Sequence, residues 1–389
     1  MADVETASGS WSASGAAGLS GRAGDNPLPV PARLVQGVID HGAAIGELSE
    51  SLGRRVDLDW LALLGERAAI AGLSRGGDVS CGGATRLLST ATDWIALSLA
   101  RPDDIASMPA WLEASLPDDV DELWVEITRC VASREAVELI DRAWLLGLPA
   151  SRVGERVADR PSMRSAVMTP VATGAVGTTR LDELLVVDLS SLWAGPLCAN
   201  LLGLAGCRIV KVESTGRPDG ARFGSTEFYE VLHGGHESVG LDFTSAQDLV
   251  ALRALIERAD IVIEASRPRA FAALGVDRAT VDGPAVWLSI AGHGRDVDDA
   301  QRIAFGDDAA AAGGLVTEDA DGLCFCCDAV ADPLTGIVAA HAVLDALVRG
   351  GRWVVDVALS GVAASMSAGP MVSLDSDAIA SPRARAVVR

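Results

Sequence analysis

Positive charge is scarce in this sequence: 32 lysines and arginines stand against 53 aspartates and glutamates, a formal net charge of −21 over 389 residues. Such a field repels phosphate polymers and anionic lipid, so neither nucleic acid nor a membrane is an expected partner. Long apolar runs are missing too. None approaches the roughly 20 residues that a bilayer crossing needs. No basic, apolar leader opens the chain; residues 1–27 (MADVETASGSWSASGAAGLSGRAGDNP) are small and polar and read as a disordered tail. With no leader, the seven cysteines (81, 130, 198, 207, 324, 326, 327) are expected as reduced thiols in a cytoplasm. The Cys324, Cys326, Cys327 run has no second cluster or histidine beside it, so buried thiols are expected there and no metal. Neither a G-x-G-x-x-G fingerprint nor a Walker motif is present, which removes the main support for dinucleotide and nucleoside-triphosphate chemistry.

What the chain does have is concentrated between Leu184 and Glu213, LLVVDLSSLWAGPLCANLLGLAGCRIVKVE. An apolar strand, a small-residue turn, a short apolar helix and a second strand make one βαβ unit. The runs Leu184 to Leu189 and Arg208 to Val212 hardly alternate with polar residues, as parallel strands covered on both faces require. Beyond Glu213 strands and helices keep alternating through SVGLDF, AQDLVALRALIERA, DIVIEA, AVWLSIAG, LTGIVAAHAVLDALVRG and WVVDVAL. The expected fold class is therefore α/β, a doubly wound, mostly parallel Rossmann-like sheet over 181–371. A second, smaller α+β domain is expected before it, over 28–159. There apolar residues recur every three or four positions in four segments, and GGATRLLSTATDWIALSLA forms a hairpin around Thr90 to Asp93. Residues 160–180, rich in Ser, Thr, Gly and Ala, read as a linker, and 372–389 as a C-terminal tail.

The blocks VVDLSSLWAGPLCANLLGLAGCRIVKVE, FYEVLHGGHESVGLDF, ADIVIEASRPRAFAALG, LSIAGHG, FGDD, ADPLTGIVAAHAVLDAL and WVVDVAL follow one another in order. In content and order they resemble the class III CoA-transferase family (CaiB/BaiF type), which includes formyl-CoA transferase, carnitine CoA-transferases and α-methylacyl-CoA racemase. Features that the family carries after its last block, here TDWIALSLA and LLGLPASRVGERVADRPSM, come first, so a rearranged domain order is expected. Chain termini tend to lie at the surface and near one another, which makes such an order physically tolerable.

The resemblance implies coenzyme A as acyl-CoA substrate, a carboxylate acceptor, and an aspartate nucleophile passing through an aspartyl-acyl anhydride and an aspartyl-CoA thioester. In Gly306-Asp307-Asp308 the matching residue is Asp308. A helix N-cap is the competing reading of Asp308, and Asp307 competes as nucleophile because the interval from Asp308 to Gly314-Leu315 is short. For the nucleotide the resemblance points to the turn Trp193, Ala194 and Gly195, to Lys211 and Arg222, and to Ala265, Ser266, Arg267 and Arg269. A cluster of Arg208, Lys211, Arg217, Arg222, Arg267 and Arg269 would focus an anion in an otherwise acidic protein. Ala265-Ser266 and Arg269 depart from the family's usual residues. His293, in Gly292-His293-Gly294, is the best candidate base, ahead of His233 and His236, for the alternative of a racemase exchanging an α-proton. A non-catalytic CoA-binding or structural homologue is the third reading. A homodimer, interlocked as in the family or formed with a related chain, is also implied, with 160–180 as the threading segment.

Overall fold

The computed structural model describes residues 2–156, 166–172, 180–295, 299–374 and 378–387. Six parallel strands lie in the spatial order Glu237–Leu241, Arg208–Ser214, Leu185–Leu189, Ile261–Glu264, Val286–Ala291, Arg352–Ala358, and one antiparallel strand, Ala166–Ala172, closes the last edge. Numbered along the chain, the parallel strands run 3-2-1-4-5-6, the doubly wound order. Their side chains alternate between two dry layers. Val186, Ile209, Ile261, Ile263, Leu288 and Val355 face helices Ala331–Arg349 and Ala194–Ala205 in the larger core. Val187, Val210, Val212, Val262 and Trp287 face helix Ala246–Glu257 and Phe271 on the other side. Burial on both faces explains why these strands read as continuous apolar runs. Helix Ala331–Arg349 is long and apolar enough to cross a bilayer, but 78% of that stretch is buried inside the protein, where it is the central core helix.

The smaller unit has its own core. Antiparallel strands Thr85–Ser89, Trp94–Ser98 and Ala150–Arg152 pack on helices Met108–Leu112, Val120–Val131 and Ala136–Leu146 around Trp111, Ile127 and Leu139. Its boundaries differ from the sequence expectation. Helix Ala32–Ser51 belongs to the larger core, against helix Ala331–Arg349, because its Leu34, Val35, Val38 and Ile45 form one apolar stripe.

Residues 2–27 of the supposed tail are folded. Helix Ala2–Ala13 leads into Ala16, Ala17 and Leu19, and Trp11 is fully buried in the main core. One indole and a few alanines bury enough apolar surface to hold a segment that composition alone marks as disordered. The C-terminal stretch is likewise held. Val372 pairs with Val30, Ala380 N–H donates to Ser12 O at 2.9 Å, and Arg383 and Arg385 bind Asp59 and Glu66. Within the expected linker, Ala166–Ala172 is the antiparallel edge strand, where Pro170 is tolerated because an edge has one unpaired side. The remainder of that linker lies mostly outside the described residues.

Candidate active site

In a doubly wound sheet the chain leaves strand 1 for one side and strand 4 for the other, opening a crevice at their carboxyl ends. Here those ends are the turn Ser190 to Ala194 and the segment Ala265 to Arg269. The turn is tightly built. Leu192 sits at φ 71°, and a Cβ on Gly195 would lie 2.2 Å from Ser190 Oγ, so only glycine fits there. Trp193 is 2% exposed, its ring edge-to-face with Phe228 and covered by the Arg67 guanidinium. The indole of Trp193 is therefore a core group, which corrects its expected role as a nucleotide contact; Ala194 and Gly195 are likewise buried.

Lys211 departs furthest from expectation. It is the only lysine in the sequence, and it is 1% exposed, with Nζ donating to Ser190 O and lying 3.0 Å from Asp219 Oδ2 and 3.5 Å from Asp188 Oδ2. Burial pushes the Asp219 carboxyl up, but Lys211 and the N–H groups of Ala221 and Leu192 outweigh it and hold the group below its usual range. Lys211 is thus a clamp tying strand 2 to the turn and to the loop after it. Arg222 pairs with Glu213 at 2.8 Å and stacks over Tyr229, and Arg208 pairs with Glu237. Three members of the expected cation cluster are therefore satisfied internally.

The others are free. Among the described residues no ion pair is formed by Arg217, Arg267 or Arg269, and Ala265, Arg267 and Arg269 are exposed while Ser266 is half-buried. Burial, then the like charges of Arg101 and Arg217, lower the Arg267 pKa, so three guanidiniums converge at the crevice. Arg101 comes from the smaller unit. It is held by Asp104 and by Gly147 O at 3.1 Å, and it lies over the Phe305 ring at 5.8 Å. Phe305 immediately precedes Gly306-Asp307-Asp308, so the cation cluster and the aspartate pair share one wall.

Helix Gly306–Ala312 carries that pair. Gly306 packs so closely that a Cβ would meet Ala329 O at 2.4 Å and Asp332 Oδ2 at 2.6 Å. The two aspartates point to different surroundings. Asp308 has no exposure; its Oδ1 accepts from Phe305 N–H at 2.8 Å and from Ser98 Oγ at 3.1 Å, and its carbonyl accepts from Ser151 Oγ at 2.6 Å. Its Oδ2 has no partner in the described structure, and burial pushes the carboxyl up to about 8. Asp307 keeps 8% exposure and accepts from Ala329 N–H at 2.9 Å and from the Ser80 hydroxyl; burial, then the Asp328 carboxylate, raise it only to about 6. Of the two, Asp307 is the more exposed and the less raised.

Asp328, buried, and Asp332, half-buried, complete a cluster of four acids. Arg67 grips Asp328 with both Nε, at 2.8 Å, and Nη2, while burial pushes Asp332 up to about 7. His293 lies elsewhere. Its side chain is sealed from solvent, neither ring nitrogen has a hydrogen-bond partner, and Glu155 is 3.8 Å away. Burial and the charges of Arg302 and Arg156 hold it neutral. A sealed, neutral imidazole does not meet a substrate proton, so its expected place as catalytic base is not supported. His233 is buried and His236 half-buried near Lys211, and His341 pairs with His41, Nδ1 to Nδ1 at 2.7 Å.

Sequence reading misses Arg67, Ser80, Ser98, Arg101, Ser151 and Asp328. They lie in segments with no motif, and only the tertiary fold brings them to Asp307 and Asp308. Asp332 is visible as the acid of the ADPLTG block.

In this α/β protein the carboxyl ends of strands 2 and 4 carry Arg217, Arg267 and Arg269 without ion pairs among the described residues, and Phe305 links Arg101 to the helix bearing Asp307 and Asp308. The chain matches CoA-transferase family III over residues 181–385, just over half its length, and belongs to that family. Among curated relatives, the succinyl-CoA:mesaconate CoA-transferase of Haloarcula hispanica is 36% identical over 94 residues, 22% of this chain and 24% of that protein. The succinyl-CoA–D-citramalate CoA-transferase of Chloroflexus aurantiacus is 26% identical over 145 residues (35% of this chain, 36% of that protein). The human succinyl-CoA:glutarate CoA-transferase is 26% identical over 146 residues (35% and 33%). The chain thus spans about a quarter to a third of the length of these relatives. A CaiB/BaiF family protein of known structure from Brucella suis aligns with TM-score 0.44 and 26% identity over 47% of this chain and 54% of that one.

Proposed function

We propose that this protein moves CoA between an acyl-CoA thioester and a free carboxylate acceptor, with Asp307 as the nucleophile. The observation that carries the reading is the shared wall: Phe305, under the Arg101 guanidinium and two residues before Asp307, joins the arginines to an aspartate pair of which Asp307 keeps the greater exposure. In the reaction, the Asp307 carboxylate attacks the thioester carbonyl and CoA thiolate leaves, giving an aspartyl-acyl anhydride. The thiolate then attacks the aspartyl carbonyl, releasing the donor acid and forming an aspartyl-CoA thioester. The acceptor carboxylate and the thiolate repeat the two steps in reverse, and Asp307 is regenerated. Every intermediate stays activated, so the site must exclude water. Arg217, Arg267 and Arg101 are assigned to the CoA phosphates, with Arg269 at the rim. The names of the relatives point to dicarboxylic acids as donor and acceptor.

Two further parts of this reading concern assembly and place. The smaller unit stands in for the family's C-terminal portion, supported by its Ser98 and Ser151 hydrogen bonds to Asp308; and the protein works in the cytoplasm as a homodimer. Sizing by light scattering at micromolar concentration tests the dimer, which a monomer would overturn.

Activity is tested by incubating succinyl-CoA with mesaconate, citramalate or glutarate and following the new thioester by mass spectrometry. Transfer without free CoA accumulating is expected; hydrolysis alone, or no turnover with any acid, would overturn it. In the same assay the Arg267→Ala, Arg217→Ala double variant is expected to raise KM for acyl-CoA about 10–100-fold, with kcat changed far less, because these groups bind a part of the substrate remote from the reacting carbon.

A further inference from the structure

Two of the sequence's five histidines meet where the segment before the family match packs on the family domain. His41 stands midway along helix Ala32–Ser51 and His341 midway along the core helix Ala331–Arg349. Both are half-buried, flanked one turn away by the core residues Val38 and Ile45 on one helix and Ile337 and Leu344 on the other. Their Nδ1 atoms lie 2.7 Å apart, with ring centroids 4.9 Å apart and planes at 67°. At that centroid separation the two nitrogens fall close to the line joining the rings, so an Nδ1–H of one points straight at the lone pair of the other. Two lone pairs serving a metal ion would instead converge off that line. A neutral imidazole has a single N–H, so the bond requires two different tautomers: a donor ring protonated at Nδ1 and an acceptor ring protonated at Nε2.

We propose that this pair is an acid-released clamp that fastens helix Ala32–Ser51 to the core helix of the family domain. The first added proton goes to the free Nε2 of the donor ring and leaves the Nδ1–H···Nδ1 bond in place, now charge-assisted. The second goes to the acceptor Nδ1. It removes the acceptor and sets the N–H groups of two cations against each other, so the bond breaks and the helices part. Burial, then the charge of His341, lower His41 to about 4 against the pull of Asp40, and burial lowers His341 against the pull of Asp345. Asp40 is held by Gln36 and Asp345 by Arg349, each at 2.8 Å. Of the other elements packed on the two helices, Val30–Pro31, Leu61–Gly65, Ala166–Ala172, Ala194–Ala205, Val286–Ala291 and Leu359–Met366 carry no charged residue, and their one titratable group is the buried Cys198 thiol. Strand Arg352–Ala358 carries Arg352 and Asp356, helix Gly306–Ala312 carries Asp307 and Asp308, and helix Ala2–Ala13 carries Asp3 and Glu5. The unfolded histidines take their protons near 6.5 while the folded pair resists, so the clamp acts fully above that value and is lost as pH falls toward 4. The segment after helix Ala32–Ser51 carries Arg67, which grips Asp328, so release reaches the acid cluster of the candidate active site.

Two measurements on the full chain test the clamp. Nuclear magnetic resonance of isotope-labelled histidine rings, assigned by the signals lost in His41→Asn and His341→Asn, should show at about pH 7.5 one ring of the pair as the Nδ1–H tautomer and the other as Nε2–H. Two Nε2–H rings would overturn the bond itself. Hydrogen exchange read by mass spectrometry follows the release. Between about pH 7.5 and 4.5, after correction for the intrinsic rate, protection over 34–48 should fall about tenfold or more, while that of strands Leu185–Leu189 and Val286–Ala291 changes by about twofold or less. In the His41→Asn, His341→Asn double variant two amides can still bond each other but do not titrate, and circular dichroism at about pH 7.5 checks its fold. Its helix protection should vary by about threefold or less over the same range. A helix that stays protected at acid pH in the unaltered chain, or a double variant that loses protection as the unaltered chain does, would overturn the proposal.

Discussion

Asp307→Asn is expected to abolish CoA transfer, lowering kcat by about 10³-fold or more, and to remove the hydroxylamine-sensitive adduct that acyl-CoA leaves on the unaltered protein. An amide cannot form the anhydride, while its size and most of its hydrogen bonds survive. In the unaltered protein kcat/KM should rise with pH through about 6, because only the ionised carboxylate attacks and Asp307 is pushed up to about 6. Mass spectrometry of a peptic digest after hydroxylamine treatment reads the modified position directly. Modification at Asp308, with Asp307 untouched, would reverse the assignment.

Asp308→Asn should behave differently. Asn can still accept from Phe305 N–H and Ser98 Oγ, so the cap survives, and the expected activity loss is modest. Stability tells more. Because burial raises Asp308 to about 8, the folded state holds a proton that the unfolded chain releases near pH 4. The stability this proton confers is full below the unfolded value and declines as pH climbs toward 8. Thermal melting between about pH 6 and 8.5 should therefore show a downward slope that Asp308→Asn reduces; an unchanged slope would place the titration elsewhere.

The contrast between the two aspartates shows where sequence reading stops. Gly306-Asp307-Asp308 is visible as a motif, but which carboxyl reacts depends on exposure and on partners from segments that are remote in sequence. Ser98 and Ser151 stand in short strands whose pattern reports only a half-buried hairpin. Arg67 is one cation in an apolar helix, and nothing in its spacing marks it. The parallel sheet is legible for the opposite reason: burial on both faces writes itself locally, as in Val186-Val187 and Val210 to Val212. Residues 1–27 mislead because composition averages over a segment, whereas a single Trp11 with Ala16, Ala17 and Leu19 decides its fate.

Lys211 misleads in the same way, since a cation among valines can be a strand-end binding group or a buried ion. Lys211→Met is expected to destabilise the protein by about 3–5 kcal/mol, because it leaves Asp188 and Asp219 as uncompensated buried charges. Urea unfolding measures it. The triple variant with Asp188→Asn and Asp219→Asn should recover much of the loss, since removing the whole buried set costs far less than orphaning part of it. Leu192 N–H and Ala221 N–H both donate to Asp219 Oδ1 at 2.9 Å, so the single variant should also loosen the turn that opens the crevice and the loop bearing Arg217. Because the sequence has one lysine, an amine-reactive reagent gives an independent readout. In the folded protein only the chain's amino terminus should be labelled, and Lys211 should react in step with the urea transition; prompt labelling of Lys211 under native conditions would contradict its place in the core.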